Sequence, residues 1–280
     1  MVSNSVIAAV CVTLFISLVL PVALYLVYGI KNKGKGVWTA WLLGAAGFFV
    51  FQIVIRIPLL NLLSLNEGFR SFAASHYILY CLALAFTAGL FEAAGRYAVA
   101  RILKKKLSFE RGFAAGLGHG GIEAILLIGI TYINNLLYIM LINTGAFEEV
   151  VSQAAALGSD ISPLLQLQST LLSSGPLMFY LAGYERILTM VFHVFLSLLV
   201  CYSVRNGKDL QGLLICLLLH TAVDFAAPML NGLASPALGN RLSASTAYLL
   251  VYILLTAVAI ACAAGILSLR KRWKQSSSEA

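Results

Sequence analysis

Residues 116–123, GLGHGGIE, place an imidazole and a carboxylate in an otherwise apolar stretch. On a helix, the four-residue spacing of His119 and Glu123 puts both side chains on one face, one turn apart. A histidine can exchange a proton near neutral pH, and a glutamate can serve as a general base. The segment is therefore a candidate for proton transfer or metal binding. The alternative interpretation is a closely packed helix whose two polar side chains reach the lipid headgroups.

Two other segments repeat this spacing. Glu92 and Arg96 are four residues apart in one of them, and His220 and Asp224 are four residues apart in the other. On a helix each couple shares a face, and pairing lowers the cost of placing ionisable groups in a membrane. Taken alone, the couple of Glu92 and Arg96 is equally well explained as a structural ion pair.

A fourth segment carries a longer polar pattern. Glu185 precedes Arg186 directly, and His193 and Ser197 follow Arg186 by seven and eleven residues. These separations are close to whole helical turns, so the side chains form one polar stripe. A lone intramembrane histidine often makes only a hydrogen bond between helices, but a stripe that begins with Glu185 and Arg186 is harder to explain in that way.

The composition limits the kind of protein that can hold these groups. Of the 280 residues, 60% are hydrophobic and only 11% are charged, and the mean hydropathy is +0.91. These values predict an all-α, polytopic membrane protein. The net charge of +8 comes from short basic loops beside apolar stretches, which argues against a nucleic-acid partner. The five cysteines are scattered and predict neither a disulfide framework nor a CxxC metal site.

Seven apolar stretches are long enough to cross a bilayer, which takes about 20 residues. They comprise residues 5–30, 37–63, 75–100, 112–141, 176–204, 210–231 and 245–269. We expect them to form one transmembrane domain over residues 1–274, followed by a disordered tail at 275–280. Gly112, Gly116 and Gly120 repeat every four residues in the fourth stretch, which predicts that another helix packs closely against this flank.

The basic residues predict how the chain is oriented. Fourteen of the nineteen lie in the loops at residues 31–35, 101–111 and 205–208 and in the tail at 270–274. All four regions fall on the same side of a protein with seven spans, and cytoplasmic loops are enriched in lysine and arginine. We therefore expect a multi-pass protein of the cell membrane with its N-terminus outside and its C-terminus in the cytoplasm.

The connection at about 144–175, on the predicted outer side, is too long for a simple turn. Apolar residues recur at helical spacing from Phe147 to Leu157, and a second short apolar run follows Pro163. This pattern predicts a segment that lies in the interface or partly re-enters the membrane. A plain extracellular hairpin is the alternative.

Depth along the predicted spans relates the polar segments to one another. With a rise of about 1.5 Å per residue, Glu92, His119, His193 and His220 all lie roughly 10–17 Å from the cytoplasmic boundary. Independent structural residues on helices of alternating direction would have no reason to share one depth. We therefore predict that these four residues, with the carboxylates one turn from His119 and His220, face one interior cavity.

At these residues the chain resembles a broad group of intramembrane proteases that includes CAAX-prenyl endoproteases, bacteriocin-processing membrane proteins and PrsW. It is most similar to the YhfC-like branch of that group. Glu92 and Arg96 match the second glutamate and the arginine of the group's first motif, whereas Phe91 occupies the position of the first glutamate. The later polar segments follow in the same order, so the resemblance extends from about Glu92 to Asp224.

The resemblance implies hydrolysis of a peptide bond in a membrane-embedded peptide or protein, with a glutamate that activates water. Glu92 is the first candidate for this base, because Arg96 would favour its ionised form, and Glu123 is the alternative. Three histidines also match the ligand number of a catalytic zinc site. His119, His193 and His220 therefore either bind Zn²⁺ or, without a metal, orient the water and the oxyanion. The expected catalytic set comprises Glu92, Arg96, Glu123, Glu185, Arg186 and Asp224.

Two other functions fit the same residues. Ionisable groups inside a membrane also form the proton or ion pathways of transporters, although such pathways place polar groups at several depths. A catalytically inert membrane scaffold is the other alternative, and the absence of a carboxylate at position 91 favours it. Cleavage of a transmembrane substrate, compared with proton flux in sealed vesicles, distinguishes the protease from the transporter.

Overall fold

The structure, a computed structural model, describes residues 1–278, and no strand occurs among them. The α-helices of this part are α1 (Asn4–Lys31), α2 (Val37–Phe48), α3 (Ile57–Ser64), α4 (Glu67–Ser75), α5 (Tyr77–Ile102), α6 (Phe109–Glu123), α7 (Ile130–Thr144), α8 (Phe147–Ala156), α9 (Ser162–Ser173), α10 (Pro176–Arg205), α11 (Asp209–Leu233) and α12 (Ala244–Ser278). Two π-helical segments, Phe49–Arg56 and Ala124–Gly129, join α2 to α3 and α6 to α7 without a break. The predicted all-α fold is thus confirmed.

Seven helical runs within residues 1–278 are long and apolar enough to cross a membrane. They are Asn4–Lys31, Val37–Ser64, Tyr77–Ile102, Phe109–Thr144, Pro176–Arg205, Asp209–Leu233 and Ala244–Gln275. Each corresponds to one predicted span, with differences of a few residues at the ends. Large apolar side chains such as Leu62 and Leu218 stay exposed on these helices, as expected where side chains contact lipid rather than water.

Short sequence features explain several helix ends. Gly145 ends α7 in a left-handed conformation with φ of 80°. This conformation is costly for a residue with a Cβ, so glycine is favoured at this position. Asn66 precedes α4, and its side-chain oxygen accepts a hydrogen bond from the backbone N–H of Phe69 at 3.0 Å. Helix α4 was not predicted, because its residues are too polar to resemble a span.

The connection between the fourth and fifth spans contains α8 and α9. The apolar spacing from Phe147 to Leu157 corresponds to α8, and the short run after Pro163 lies in α9. The helical part of the prediction is therefore confirmed, and the placement of this segment at the membrane interface stays a prediction.

At the other end of the chain, α12 continues to Ser278. Residues 279–280 of the expected disordered tail lie outside the described residues, so the tail at 275–280 also stays a prediction.

The chain divides into two compact units. Unit 1 comprises Met1–Ala23 and Glu123–Ile187. Its core contains Val10, Tyr132 and Phe179. The buried hydroxyl of Thr13 donates a hydrogen bond to the backbone oxygen of Phe179 at 2.6 Å, which joins the start of α1 to the start of α10.

Unit 2 comprises Leu24–Ile122 and Leu188–Ala280, as far as its residues are described. Its largest core cluster contains Leu117, Phe192, Leu196 and Cys216, and α5 packs extensively along α11. This unit holds most of the predicted site residues. The expectation of one transmembrane domain over residues 1–274 stays a prediction.

Candidate functional site

Glu92 is the centre of a buried polar cluster in unit 2. Its side chain, on α5, is only 5% exposed. Its Oε2 accepts a hydrogen bond from Nη2 of Arg96 at 3.0 Å, and its Oε1 accepts one from Nε2 of Gln52 at 2.6 Å. A buried carboxylate is costly unless it is paired and hydrogen-bonded. These two donors therefore explain how the chain keeps a carboxylate in an apolar setting.

Three imidazoles from three further helices surround the same carboxylate. Nε2 of His119, on α6, lies 3.0 Å from Oε2 of Glu92. Nδ1 of His193, on α10, lies 3.7 Å from that oxygen, and Nε2 of His220, on α11, lies 3.6 Å from Oε1. All three histidines are buried. The residues that share one predicted depth are thus brought together in the structure.

The hydrogen bonds assign proton positions on two of the rings. Nη2 of Arg96 lies 2.5 Å from Nδ1 of His193. A guanidinium can only donate, so Nδ1 of His193 accepts, and the proton of its neutral ring is on Nε2. An ionised carboxylate can only accept, so Nε2 of His119 donates to Glu92. Arg96 therefore orders both the carboxylate and one imidazole.

His220 and Asp224 form the accessible side of the cluster. Nε2 of His220 lies 3.2 Å from Oδ2 of Asp224, whose side chain is 36% exposed. Within the described residues, Nδ1 of His220 is buried and has no hydrogen-bond partner. Buried polar atoms are normally paired, so this nitrogen offers a lone pair or a proton to a further group.

Gln52 is a site residue that the sequence interpretation missed. It lies in the π-helical segment Phe49–Arg56, and its Oε1 accepts a hydrogen bond from Nη1 of Arg56 at 3.3 Å. This bond turns the amide so that its Nε2 points at Glu92. π-Helical turns are frequent at functional sites, and the four-residue spacing of Gln52 and Arg56 within an apolar span was the available signal.

The glycine repeat of α6 packs closely against another helix, as its spacing predicted. This packing brings two of the histidines together. A Cβ at Gly116 would lie 2.5 Å from the Cα of Val194, and one at Gly120 would lie 3.0 Å from the Cβ of His193. The backbones of α6 and α10 therefore approach closely along this flank. As a result, the rings of His119 and His193 are stacked with centroids 5.3 Å apart.

We expect Gly116→Ala to destabilise the protein by about 1–3 kcal/mol, because an added methyl group meets the backbone of α10 and forces the two helices apart. Thermal unfolding of the purified protein in detergent measures this effect. Gly175→Ala is the matched control, since a Cβ there has nothing within 4 Å. Equal unfolding temperatures for the two variants would show that the close approach of α6 and α10 is unimportant.

Glu123, Glu185 and Arg186 belong to unit 1. Nη1 of Arg186 donates a hydrogen bond to Oε1 of Glu123 at 3.1 Å, and its Nη2 donates to Oε1 of Glu185. Arg186 and Glu123 are both buried. Arg186 thus pairs with both of these predicted site carboxylates, and the part of the three residues in catalysis stays a prediction.

The donor atoms of the Glu92 cluster fit a metal ion. The ligand atoms of Glu92, His119 and His193 all lie within 4.8 Å of one another. Imidazole nitrogen and carboxylate oxygen are ligands that zinc and other divalent transition metals accept. An ion at these atoms would replace the hydrogen bonds that now join them, and Nε2 of His119 would give up the proton that it donates to Glu92.

The comparison with protein families decides which group the chain represents. The model of the YhfC intramembrane metalloprotease family matches residues 16–237, which include every residue of the Glu92 cluster. The chain belongs to this family. A YhfC relative, "Uncharacterized membrane protein YhfC" of Bacillus subtilis (strain 168), is 33% identical over 229 residues, covering 81% of this chain and 86% of that protein. No solved structure matches the chain. The YhfC family's description as a metalloprotease agrees with a buried cluster of one glutamate and three histidines.

Proposed function

We propose that this YhfC-family protein is an intramembrane endopeptidase that hydrolyses a peptide bond in a membrane-embedded peptide or protein. The observation that carries the proposal is the buried Glu92 carboxylate with three imidazole nitrogens at 3.0–3.7 Å, each from a different helix. Amide hydrolysis needs a base for water and hydrogen-bond donors for the oxyanion. Glu92 supplies the base, and the histidines supply the donors.

In the proposed reaction, Glu92 takes a proton from a water molecule as the water oxygen bonds to the substrate carbonyl carbon. The carbonyl oxygen becomes an oxyanion, for which the imidazole N–H groups of the cluster are the candidate donors. The carbon–nitrogen bond then breaks, and Glu92 returns its proton to the leaving amine. The products are a carboxylic acid and an amine, and Glu92 is ready for another water.

Arg96 and Gln52 act on this reaction through Glu92. Both donate to its carboxylate, so they hold the base in one orientation and favour its ionised form. The His220–Asp224 couple occupies the accessible side, where it can orient the attacking water.

We propose His119, His193 and His220 as the residues that would hold a metal ion, with zinc as the candidate. When bound, such an ion would supply Lewis-acid polarisation of the carbonyl oxygen or of water. The closeness of the ligand atoms of His119 and His193 supports these two ligands, and the buried Nδ1 of His220, unpaired among the described residues, leaves a nitrogen for a further group.

We expect purified protein dialysed against Zn²⁺ to retain about one ion per chain. Substitution of a residue that only hydrogen-bonds to a metal ligand lowers affinity roughly 10–100-fold, so His193→Ala, which removes a ligand, should lower the zinc affinity further. His76→Ala is the matched control, because His76 stacks on Phe72 outside the cluster. Elemental analysis after dialysis measures the bound zinc. Equal zinc content in the two variants would contradict the assignment of His193 as a ligand.

The reaction class is tested with purified protein in sealed vesicles that contain single-span peptides of about 20 apolar residues. Two fragments whose masses sum to the peptide plus one water indicate hydrolysis. Proton flux without fragments would instead favour a transporter. Neither fragments nor flux, across peptides of differing sequence, would favour the inert scaffold, for which Phe91 in place of the motif's first glutamate is the supporting observation.

We further propose that the protein lies in the cell membrane with its N-terminus outside and its C-terminus in the cytoplasm, because the basic residues cluster on alternate connections. Reporter fusions at Lys35, Lys106 and Arg272 should all give a cytoplasmic signal. A fusion within 144–175 is the control and should give an external signal. A single external signal from the first three positions would refute this topology.

A further inference from the structure

A cavity of about 670 Å³ lies in unit 2, where α1, α10 and α12 end and α6 begins. None of the residues of the Glu92 cluster lines it. The cavity is therefore separate from the proposed active site, and its walls indicate what kind of molecule it accepts.

The walls of this cavity are strongly basic. Among the residues that the structure describes, four cationic side chains line it, those of Lys35, Arg205, Arg270 and Lys274, against one carboxylate, that of Glu110. Nζ of Lys35 lies 2.7 Å from Oε1 of Glu110, so this cation is already neutralised. The described lining residues therefore carry a net positive charge, with Arg205, Arg270 and Lys274 on two helices, and this charge favours an anionic ligand.

Aromatic rings hold two of these cations against the wall. The guanidinium of Arg270 lies 5.9 Å from the ring centroid of Phe109, and that of Arg205 lies 5.7 Å from the ring centroid of Trp273. Trp273 itself is buried. Cation–π contacts of this kind restrict the guanidinium groups before any ligand arrives, which favours binding.

The cavity changes from charged to apolar along the helices. On α12, Ile266, Arg270 and Lys274 are four residues apart, so they share one face. About 12 Å of helix separates Ile266 from Lys274. The aromatic residue Phe113, one turn into α6 from Phe109, lines the cavity as Ile266 does. Charged groups thus stand near the helix ends, and apolar groups line the deeper part.

We propose that this cavity binds an anionic phospholipid, with its phosphate on Arg205, Arg270 and Lys274 and the start of an acyl chain along Ile266 and Phe113. Basic pockets between transmembrane helices are known to hold lipid headgroups. A free phosphate would leave the apolar part of the cavity uncovered. A zwitterionic lipid would place its own cation beside the three cationic side chains, which is unfavourable.

The test is a titration of the full chain in detergent with phosphatidylglycerol, followed by native mass spectrometry. Arg270→Gln/Lys274→Gln should weaken phosphatidylglycerol binding about tenfold, since each basic residue near a membrane surface contributes measurably to the binding of anionic lipid. Lys104→Gln/Lys105→Gln is the matched control. This control variant loses the same charge from exposed residues that do not line the cavity. Its affinity for phosphatidylglycerol should change less than about twofold. Phosphatidylcholine should bind equally weakly to all three proteins.

Two results would overturn the proposal. Equal losses in both double variants would mean that the lipid responds to general surface charge. Saturable binding of inorganic phosphate that displaces phosphatidylglycerol would mean that the cavity takes a soluble phosphate group. Size-exclusion chromatography and thermal unfolding check that each variant is folded. If Arg270→Gln/Lys274→Gln is not folded, Lys274→Gln compared with Lys104→Gln gives the same test, with an expected loss of about threefold.

Discussion

Glu92→Gln should lower the rate of peptide-bond cleavage by at least about 10²–10⁴-fold while the protein remains folded. The amide keeps the shape of the side chain and one acceptor oxygen, so contacts with Arg96 can persist, but it cannot take a proton from water. Cleavage of single-span peptides in vesicles gives the rate, and thermal unfolding in detergent reports the folded state. Zinc content, measured on the same samples, separates loss of the base from loss of a metal.

Glu67→Gln is the matched control for this substitution. The carboxylate of Glu67 is 94% exposed and has a distant partner, Arg70, at 3.9 Å. The same chemical change there should leave the cleavage rate unaltered. Wild-type cleavage by Glu92→Gln together with complete loss in Glu123→Gln would identify Glu123 as the base. In that case the resemblance at the first motif would have assigned the wrong residue.

The sequence predicted the spans and the principal cluster because both depend on position along a helix. A stretch of about 20 apolar residues must cross the bilayer, so hydropathy alone located the seven helical runs. The rise per residue is fixed, so residues at equal depth on different helices could be recognised before the helices were assembled. Glu92 and the three central histidines were found in this way.

Depth does not determine how each helix is rotated or which neighbour it contacts. Arg186 and His193 are seven residues apart, which predicted one polar stripe but not the partners of either side chain. Arg186 is bonded to Glu123 and Glu185 within unit 1. His193 is bonded to Arg96 within unit 2. Side-chain partners are decided by packing between helices, and regular spacing on one helix carries no information about the partner.

Gln52 shows a second limit. A neutral amide in an apolar span has no charge to mark it, and the π-helical segment that carries it changes the residues that share a face. A period of 3.6 residues per turn therefore gives the wrong orientation for this stretch. The four-residue spacing from Arg56 marks Gln52 only weakly, and the contact with Glu92 identifies it as part of the site.

Arg96 is the residue on which the order of the Glu92 cluster depends most. Its Nη2 lies 3.0 Å from Oε2 of Glu92 and 2.5 Å from Nδ1 of His193, so one guanidinium joins α5 to α10. Its side chain is almost completely buried. Removal of one partner from a buried ion pair leaves the other charge uncompensated, which costs more than the pair contributes.

We therefore expect Arg96→Ala to destabilise the protein by about 3–5 kcal/mol, since Glu92 loses its guanidinium partner and keeps the donors Gln52 and His119. The same substitution in a Glu92→Gln background should cost less, because no carboxylate is then left unpaired. The difference between the two backgrounds, expected at about 1–3 kcal/mol, is the coupling between Arg96 and Glu92. Unfolding of the four proteins in detergent completes this double-mutant cycle.

Arg101→Ala is the matched control, because Arg101 lies on the same helix and pairs with Asp209 at 3.0 Å while its side chain is 48% exposed. Exposed ion pairs contribute about 0–1 kcal/mol, so this variant should unfold close to wild type. If Arg96→Ala costs the same with Glu92 or Gln at position 92, the guanidinium does not act through the carboxylate. The bond from Arg96 to His193 would then be the stabilising contact. In that case Arg96→Ala should cost less in a His193→Ala background, although its cost is unchanged in a Glu92→Gln background.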